Sequence, residues 1–510
     1  MTTAEVLTSD VDGPRRSVRD WPGPAGTPVV VVLAVTIALL LTTGLTAVVR
    51  LSGGGPQPED ALPGSTFAFA KVDLDPAASQ KLAVRALARR FDSAPGESLL
   101  ELRDAVLRAA VEPLGLDYDD DVAPWLGNRY AVAGFVVGDD AHPLVAVQVD
   151  DAAAARRAID RADGDDVGVA FVRGYALIAE SSDLAEEAAR QATASPLTDD
   201  TEFTEDIARL TGDQIVSGWA DHGEIYDRFF VDVVTAMEMD AAAHDPRASF
   251  GGRSVFGIHA TRRYVEVESF VVGTRAPADG AGPALLTSLP ADTVAAVAVT
   301  NPAAVQSSTA AVGAFGSLGS AGLVALGVGG VGGVGRTPST DSIDAVLDAL
   351  APVADELEAQ LLPLLRSGAA LALGPLPGGA SSRSDASLLL VAEVAAPGNA
   401  QVPLLHARDA LRRSGLTSEI AIRGRLVHAA VGSAYVGNVG EPGDLGKSDL
   451  FGEAMGQLDP ATTAAVYVDV AAISRTQPAF PLDARAVQAI GASSYPTATG
   501  SAFRLRIVIG

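Results

Sequence analysis

An uncharged, apolar run near the N-terminus constrains the fold of this chain more than any other feature. The run covers residues 29–49, contains no Asp, Glu, Lys or Arg, and consists mostly of Val, Leu, Ile and Ala. At about 1.5 Å per residue it would form a helix of about 31 Å, which matches the roughly 30 Å hydrocarbon core of a bilayer. The sequence therefore predicts a transmembrane helix over residues 28–50 that tethers the rest of the chain to a cell membrane.

Arginines on either side of the apolar run predict its orientation. Three arginines precede the run and one follows it closely, namely Arg15, Arg16, Arg19 and Arg50. Because the more positive flank faces the cytoplasm, residues 1–27 are predicted to be a disordered cytoplasmic tail and the bulk of the chain to be extracytoplasmic. A cleaved signal peptide is the alternative, but its apolar core spans about 7–15 residues and ends at a small-residue site, which residues 48–51 do not provide.

The composition disfavours several classes of function. The 510 residues carry a net charge of −26, whereas a nucleic-acid-binding surface is basic. Adhesion to anionic lipid headgroups through charge alone is disfavoured for the same reason. The chain has no cysteine, which excludes disulfides, thiolate chemistry and lipid attachment through a cysteine.

The sequence after the apolar run contains an internal repeat. Three pairs of segments match in the same order along the chain: 62–73 with 289–299, 200–210 with 448–458, and 264–273 with 502–510. The pair Arg173-Gly174, between apolar strands, matches Arg423-Gly424. Ordered matches at similar spacing indicate a duplication. A duplication constrains the architecture of the chain more strongly than local patterns do.

This repeat divides the predicted extracytoplasmic region. A Gly-rich and Pro-rich stretch over residues 51–60 predicts a flexible linker. The first half is then predicted over residues 61–283 and the second half over residues 284–510. The second half differs by a glycine-rich insertion at residues 311–336.

Each half is predicted to contain antiparallel strands accompanied by helices. In the first half, apolar and alternating segments predict strands at residues 66–73, 130–137, 144–149, 168–172 and 175–179. Arg173-Gly174 is predicted to be the turn of a hairpin. Helical spacing of apolar residues predicts helices at residues 76–91, 152–162 and 182–192.

The last strand of the chain alternates between apolar and basic residues. Phe503, Leu505, Ile507 and Ile509 alternate with Arg504 and Arg506. This alternation predicts a sheet with one dry face and one wet face. The predicted fold class is α+β, with duplicated antiparallel sheets covered on one side by helices.

Three motifs carry a resemblance to a known family. They are Gln-Pro-Glu-Asp-Ala-Leu-Pro at residues 57–63, Lys-Val-Asp-Leu-Asp-Pro at residues 71–76 and Pro-Trp-Leu-Gly-Asn-Arg at residues 124–129. In this order after a single apolar span, they make the chain resemble a family of actinobacterial, single-pass, membrane-anchored proteins classed as a domain of unknown function. The resemblance covers nearly everything after residue 50 and implies a similar topology, but it implies no activity and no catalytic motif.

The second half departs from the pattern of that family. It has Arg366-Ser367-Gly368 where the first half has Trp125-Leu126-Gly127. Any function of the tryptophan-containing loop therefore belongs to the first half alone.

Residue types that commonly carry chemistry form no recognisable site in the sequence. None of the six histidines has the i, i+4 spacing of a zinc-binding helix: His142, His222, His244, His259, His406 and His428. Two groups of aspartates lack the spacing of a calcium-binding loop and are interpreted as solvated turns: Asp117, Asp119, Asp120 and Asp121, and Asp160, Asp163, Asp165 and Asp166. Gly327, Gly329 and Gly332 match G-x-G-x-x-G, but no strand–turn–helix unit surrounds them. We predict no catalytic residue, no cofactor and no metal site.

The glycine-rich insertion is the remaining unusual segment. Residues 302–335 contain no charged side chain. A second membrane span is one interpretation, but it would place the two matched halves on opposite sides of the membrane. We therefore favour an apolar insertion that covers a groove or touches the membrane surface.

These features together predict a membrane-anchored, extracytoplasmic binding or scaffold protein of the cell envelope. Two related halves commonly enclose a cleft, and ligands favour such interfaces. The expected partner is an apolar ligand, such as a lipid under the glycine-rich insertion, or a protein of the envelope; nucleic acid is not expected. The alternative is an envelope hydrolase that uses acidic residues, although no motif presents a carboxylate pair.

Overall fold

A computed structural model describes much of the chain from residue 55 onward. This includes residues 55–60 of the predicted flexible linker, where a capped helix begins at Pro58 and three of its four residues are buried, so this part of the linker prediction is wrong. The described residues are 55–90, 108, 117–159, 168–230, 252–273, 282–300, 356, 360, 365–375, 387–394, 396–413, 415–437, 439–476 and 486–510. The predicted tail, the predicted transmembrane helix and the glycine-rich insertion lie outside these ranges. Within the ranges, no helix combines the length and the apolar character needed to cross a bilayer.

The described residues form sixteen strands in one continuous sheet. The first eight are β1 (Thr66–Asp73), β2 (Leu126–Val137), β3 (Asp140–Val149), β4 (Gly168–Val172), β5 (Tyr175–Ala179), β6 (Val216–Asp221), β7 (Arg253–Ala260) and β8 (Tyr264–Val272). The second eight are β9 (Ala295–Val299), β10 (Leu365–Leu373), β11 (Leu388–Val394), β12 (Ser418–Arg423), β13 (Leu426–Val431), β14 (Ala464–Asp469), β15 (Val487–Thr497) and β16 (Gly500–Ile509).

The strand order is the same in the two sets of eight. The sheet runs β12-β13-β11-β10-β9-β14-β15-β16-β8-β7-β6-β1-β2-β3-β5-β4, so each set follows one scheme and the two meet at β16 and β8. All pairings in the sheet are antiparallel. We call the β8–β16 pairing the seam; it joins Tyr264–Val272 to Gly500–Val508 over nine register pairs.

Ten helices accompany the described strands. They are α1 (Pro58–Ala61), α2 (Ala78–Ala88), α3 (Ala152–Ile159), α4 (Ser182–Ala194), α5 (Thr201–Ile207), α6 (His222–Ile225), α7 (Gly282–Thr287), α8 (Pro397–Arg413), α9 (Asp449–Met455) and α10 (Val470–Thr476). The α+β class and the predominance of antiparallel pairing are confirmed.

Helices pack on both faces of the sheet, so the prediction that they cover one side is wrong. Leu144 and Ala146 of β3 lie in a core with Ala185 and Ala188 of α4. The alternate residue Val145 lies in a second core with Ala155 of α3. The physical reason is that residues 144–147 of β3 are all apolar, and successive side chains point to opposite faces of a sheet.

Local sequence signals account for one hairpin turn and for the starts of two equivalent helices. Arg173 and Gly174 connect β4 to β5 with φ values of 48° and 84°, as a two-residue type I′ turn requires. Helix α5 begins after Asp200, whose carboxylate accepts a hydrogen bond from the Phe203 N–H at 3.0 Å. Ser448 caps α9 in the same way, through the Phe451 N–H at 3.4 Å.

The predicted dry and wet faces of the last strand are confirmed only in part: Ile507 and Ile509 pack in a core with Leu87 of α2. Phe503, predicted to face the core, is 43% exposed. Arg504 and Arg506, predicted to face water, are mostly buried against Glu266 and Glu268 of β8. Apolar and basic residues do alternate along this strand. The carboxylates that neutralise the two arginines, however, come from the first set of strands, and the local sequence pattern does not reveal them.

Candidate functional site

A cleft of about 390 Å³ opens beside the end of β1. Lys71 and Asp73 line it from β1, Arg129 from the start of β2 and Ser217 from β6. A segment that we call the cleft loop, residues 208–214 between α5 and β6, closes the other side through Leu210, Gly212, Asp213 and Gln214. The volume is in the range of small-molecule sites, which span about 300–1,000 Å³.

A buried ion-pair network forms the floor of the cleft. Arg129 is 2% exposed and donates from Nε to Asp73 Oδ2 at 2.9 Å and from Nη2 to the Asp75 carbonyl at 3.1 Å. Lys81 of α2 is also buried and pairs with the Asp75 carboxylate. Burial lowers the pKa of Arg129, but the hydrogen bond and charge of Asp73 outweigh burial, so its net pKa is raised. Arg129 is therefore a fixed positive charge.

Lys71 forms a second ion pair at the edge of the cleft. Its ammonium donates to the Gln57 side-chain oxygen at 3.1 Å and to Glu59 Oε1 at 2.5 Å. The other oxygen, Glu59 Oε2, is buried without a hydrogen-bond partner. Such an atom is costly to bury unless a further donor reaches it.

The register of the sheet identifies the counterparts of these residues in the second half. Phe69 of β1 pairs with Trp219, and Ala296 of β9 pairs with Tyr467, so Phe69 corresponds to Ala296. Two edge-to-face contacts agree with this alignment: Phe203 with Trp219 at 5.7 Å, and Phe451 with Tyr467 at 5.1 Å.

By this alignment, neutral residues replace the charged floor in the second half. Lys71 corresponds to Ala298. The Asp73 N–H donates to the Ile215 carbonyl and the Thr300 N–H to the Thr463 carbonyl, both at 2.8 Å, which makes Asp73 equivalent to Thr300. Arg129 pairs with Asp73 and thus corresponds to Gly368. Since the second half forms the same strand order without these charges, the sheet itself does not require them.

The three motifs behind the family resemblance converge on this cleft. Gln57 comes from the first motif, Lys71, Asp73 and Asp75 from the second, and Arg129 from the third. Trp125, also in the third motif, instead packs in the core with Tyr118 and Val122 and is 6% exposed. The sequence predicts a ligand cleft between the two halves. The cleft beside β1 is a different one, because all of its lining residues lie in the first half.

None of the cleft residues stands out in the sequence as a site, but the composition contains a signal. The chain has three lysines among many arginines, Lys71, Lys81 and Lys447. Two of the three lie within the buried network of the cleft. The carboxylates that pair with them sit in motifs without catalytic spacing, so sequence alone gave no reason to join them.

A second cluster of buried charges lies at the seam. His259, Glu266 and Glu268 are buried and offer ligand atoms within 4.8 Å of one another, which is a composition that could hold a metal. Arg506, however, pairs with Glu266, and Arg504 lies 3.5 Å from Glu268. Two guanidiniums already balance the two carboxylates, so a divalent cation would face uncompensated repulsion. We interpret the cluster as an ion-pair network.

The remaining aspartates and histidines singled out in the sequence lie at separate places in the described structure. Asp117 caps the turn at Tyr118–Val122 by accepting from the Asp119 and Asp120 N–H groups, and Asp119 pairs with Arg108. His222 Nε2 lies 2.8 Å from the Ser254 hydroxyl. Burial, with a smaller effect from the Arg423 charge, lowers the pKa of His428. His244, the second aspartate group and the G-x-G-x-x-G glycines lie outside the described residues.

Comparison with known proteins identifies no relative. No family model matches the chain, and no curated protein or solved structure matches it either. The family resemblance inferred from the three motifs therefore stays a prediction, and the function has to be argued from the geometry of the cleft.

Proposed function

We propose that the chain is a membrane-anchored, extracytoplasmic binding protein whose cleft takes a small polar ligand. The observation that carries this proposal is a set of three charged residues, Lys71, Asp73 and Arg129. They line a cleft of about 390 Å³, and Ala298, Thr300 and Gly368 occupy the equivalent positions of the second half. Buried charges are costly, and the second half forms the equivalent strands without them.

The anchored part of the proposal rests on the sequence. The uncharged run at residues 29–49 is long enough to span a bilayer, and the arginines before it favour a cytoplasmic N-terminus. An internally duplicated domain, with halves at 61–283 and 284–510, is also proposed. The repeated strand order and the two equivalent aromatic pairs support it.

The balance of charge in the cleft favours neutral or zwitterionic ligands. Each cation there has a carboxylate partner: Lys71 with Glu59, Lys81 with Asp75 and Arg129 with Asp73. Asp213 adds a further acidic group to the lining. A phosphate-rich anion would find no uncompensated positive charge, whereas hydroxyl, amide and ammonium groups would find the Asp213 carboxylate and the Ser217 hydroxyl in the lining. A wholly apolar ligand fits this floor poorly, because it would leave the polar groups unsolvated.

A hydrolase that uses paired carboxylates is the second candidate, and the geometry favours it less. Asp73 Oδ2 accepts from Arg129, and Asp73 Oδ1 accepts from the Asp75 N–H at 2.8 Å. The Asp75 carboxylate is engaged by Lys81. A general acid or base needs an oxygen within reach of a substrate, and these oxygens are directed to protein partners.

A thermal-shift panel on the detergent-solubilised full-length protein tests the proposal. The panel contains neutral saccharides and zwitterionic amino acids, with nucleoside phosphates and fatty acids as classes expected to have no effect. A ligand at 100 times its Kd stabilises the folded state by about 2.7 kcal/mol, which corresponds to a rise of about 4 °C in Tm. We expect at least one polar neutral or zwitterionic class to give this rise.

Two tryptophan variants locate the effect. Ala77 lines the cleft, so Ala77→Trp fills it and should abolish the shift. Ala194 is exposed at the end of α4, so Ala194→Trp adds the same side chain elsewhere and should keep the shift. A panel in which wild type responds to no polar ligand, or in which Ala77→Trp responds like wild type, would contradict the proposed site.

A further inference from the structure

A buried carboxylate at the seam fastens the cleft loop to the centre of the sheet. Glu268 of β8 is 2% exposed and accepts hydrogen bonds from the Thr211 N–H at 2.9 Å and from the Thr211 hydroxyl at 3.1 Å. Thr211 lies between Leu210 and Gly212, which both line the cleft. Two hydrogen bonds to one charged group fix the direction as well as the position of the segment that donates them.

Arg504, from the second half, supports the charge of Glu268. The two residues pair directly in the register of the seam, and the guanidinium lies 3.5 Å from Glu268 Oε1 and 3.6 Å from Glu266 Oε1. Glu266 in turn pairs with Arg506, and His259 Nε2 of β7 lies 3.8 Å from Glu266 Oε1. Removing one arginine leaves excess negative charge in a place that little water reaches.

Contacts inside the cleft loop set its shape, but they do not fix its position against β8. The Gln214 amide donates to the carbonyls of Thr211 at 3.0 Å and Gly212 at 3.2 Å. Gly212 has a φ of 70°, which lets the loop turn back on itself. Within the part of the chain that the structure describes, the hydrogen bonds between this loop and β8 are those from Thr211 to Glu268.

We propose that Glu268 is a positioning residue for the cleft, and that Arg504 carries this effect across the seam from the second half. The inference rests on the ligand site proposed above. Because the residues on both sides of Thr211 line the cleft, a displacement of Thr211 changes the width of the cleft and moves Asp213. The second half, which has neutral residues in place of the charged floor, thereby contributes to the site without contacting the ligand.

Hydrogen–deuterium exchange on the full-length, detergent-solubilised protein tests this positioning without a ligand. Arg504→Gln removes the supporting charge and leaves Thr211 and Glu268 in place. We expect amide exchange at residues 211–214 to rise about tenfold, in line with the loss of a charge-assisted hydrogen bond, while exchange in α4 stays at the wild-type rate. Arg504→Lys keeps the charge and should restore exchange to within about threefold of wild type.

Arg425→Gln is the matched control. Arg425 also lies in the second half and pairs with Glu393 at 3.2 Å, but its side chain is solvent-exposed and far along the sheet order from the seam. This variant should leave exchange at residues 211–214 unchanged. An Arg504→Gln protein that keeps wild-type exchange at residues 211–214 would overturn the proposal, as would an equal rise in the control.

A second variant decides the question if Arg504→Gln loosens the whole fold. Thr211→Val removes the hydroxyl that donates to Glu268 and leaves the charges of the seam untouched. Exchange of the amide of residue 211, which still donates to Glu268, should then rise about threefold, with α4 unaffected, whereas an unchanged rate would refute the positioning role of Glu268. These outcomes are independent of the thermal-shift panel, so a failure of the ligand proposal and a failure of the positioning proposal are distinguishable.

Discussion

The ion pair between Arg129 and Asp73 gives the most quantitative prediction. Arg129→Met leaves the Asp73 carboxylate buried without its cation, and losing one partner of a buried pair costs about 3–5 kcal/mol. Asp73 still accepts from the Asp75 N–H at 2.8 Å, which places the expected loss at the lower end, about 3 kcal/mol.

The double variant Asp73→Asn with Arg129→Met should be more stable than Arg129→Met alone. It removes both charges together, and an asparagine at this position can still accept from the Asp75 N–H. The second half forms the equivalent strands with Thr300 and Gly368, so a neutral pair is compatible with this sheet. We expect the double variant to lose about 1 kcal/mol, and to lose ligand binding as completely as the single variant.

Urea unfolding of the full-length protein in detergent, followed by tryptophan fluorescence, measures these changes. Trp125 and Trp219 are 6% and 4% exposed and both lie beside the strands that carry the pair, so they report on this part of the sheet. A double variant as unstable as the single variant would refute the reasoning, because an unpaired charge would then not be the cause. A loss below about 1 kcal/mol for Arg129→Met would show that the pair is not effectively buried.

Three further predictions follow from the buried charges and the proposed topology. Burial raises the pKa of Glu268, but the two hydrogen bonds from Thr211 and the charge of Arg504 hold it below its usual value. The ionised Glu268 carboxylate therefore stabilises the cleft loop above about pH 4.3, and this stability is lost as the pH falls through the lower folded pKa. Exchange at residues 211–214, corrected for its intrinsic pH dependence, should rise over that range. Asp206 is fully buried and accepts hydrogen bonds from Trp219 Nε1 at 3.1 Å and from Arg253 Nε at 2.7 Å. Asp206→Ala should therefore lower the free energy of unfolding by about 3 kcal/mol in the same urea assay. Glu205→Ala, on the exposed side of the same helix, should lower it by less than about 0.5 kcal/mol. The chain has no cysteine, so a single introduced cysteine is the one site on it that a maleimide can label. A membrane-impermeant maleimide added to intact cells should label Ala194→Cys and leave Thr8→Cys unlabelled. The reverse pattern would contradict the proposed orientation.

Much of the fold follows from local sequence signals. The hairpin at Arg173-Gly174 lies where the residue pattern predicts it, and β4 and β5 have the predicted bounds. The predicted helix at residues 76–91 extends past both ends of α2, because helix ends depend on capping and packing more than on apolar spacing. Of the predicted helix at residues 152–162, residues 152–159 form α3 and the rest lie outside the described residues. The fold class was accessible because period-two and period-3.6 patterns are properties of single segments.

The features that sequence analysis missed depend on distant pairs. In the local sequence, Arg504 and Arg506 are typical of a solvent-exposed face. The seam pairs them with Glu268 and Glu266, which lie more than two hundred residues earlier in the chain. Arg129 and Asp73 likewise meet through strand pairing, at a separation of 56 residues. Charge complementarity between remote strands carries no local period, so the cleft and the seam could not be derived from spacing.

Native mass spectrometry of the full-length protein, released gently from detergent, tests the central claim most directly. We predict that the wild-type protein carries a small polar molecule in a one-to-one complex, and that the folded double variant Asp73→Asn with Arg129→Met carries none. Equal occupancy of the two proteins would contradict the assignment of the ligand site to the charged cleft, and a wild-type protein that carries no ligand after exposure to the polar panel would contradict the binding function itself.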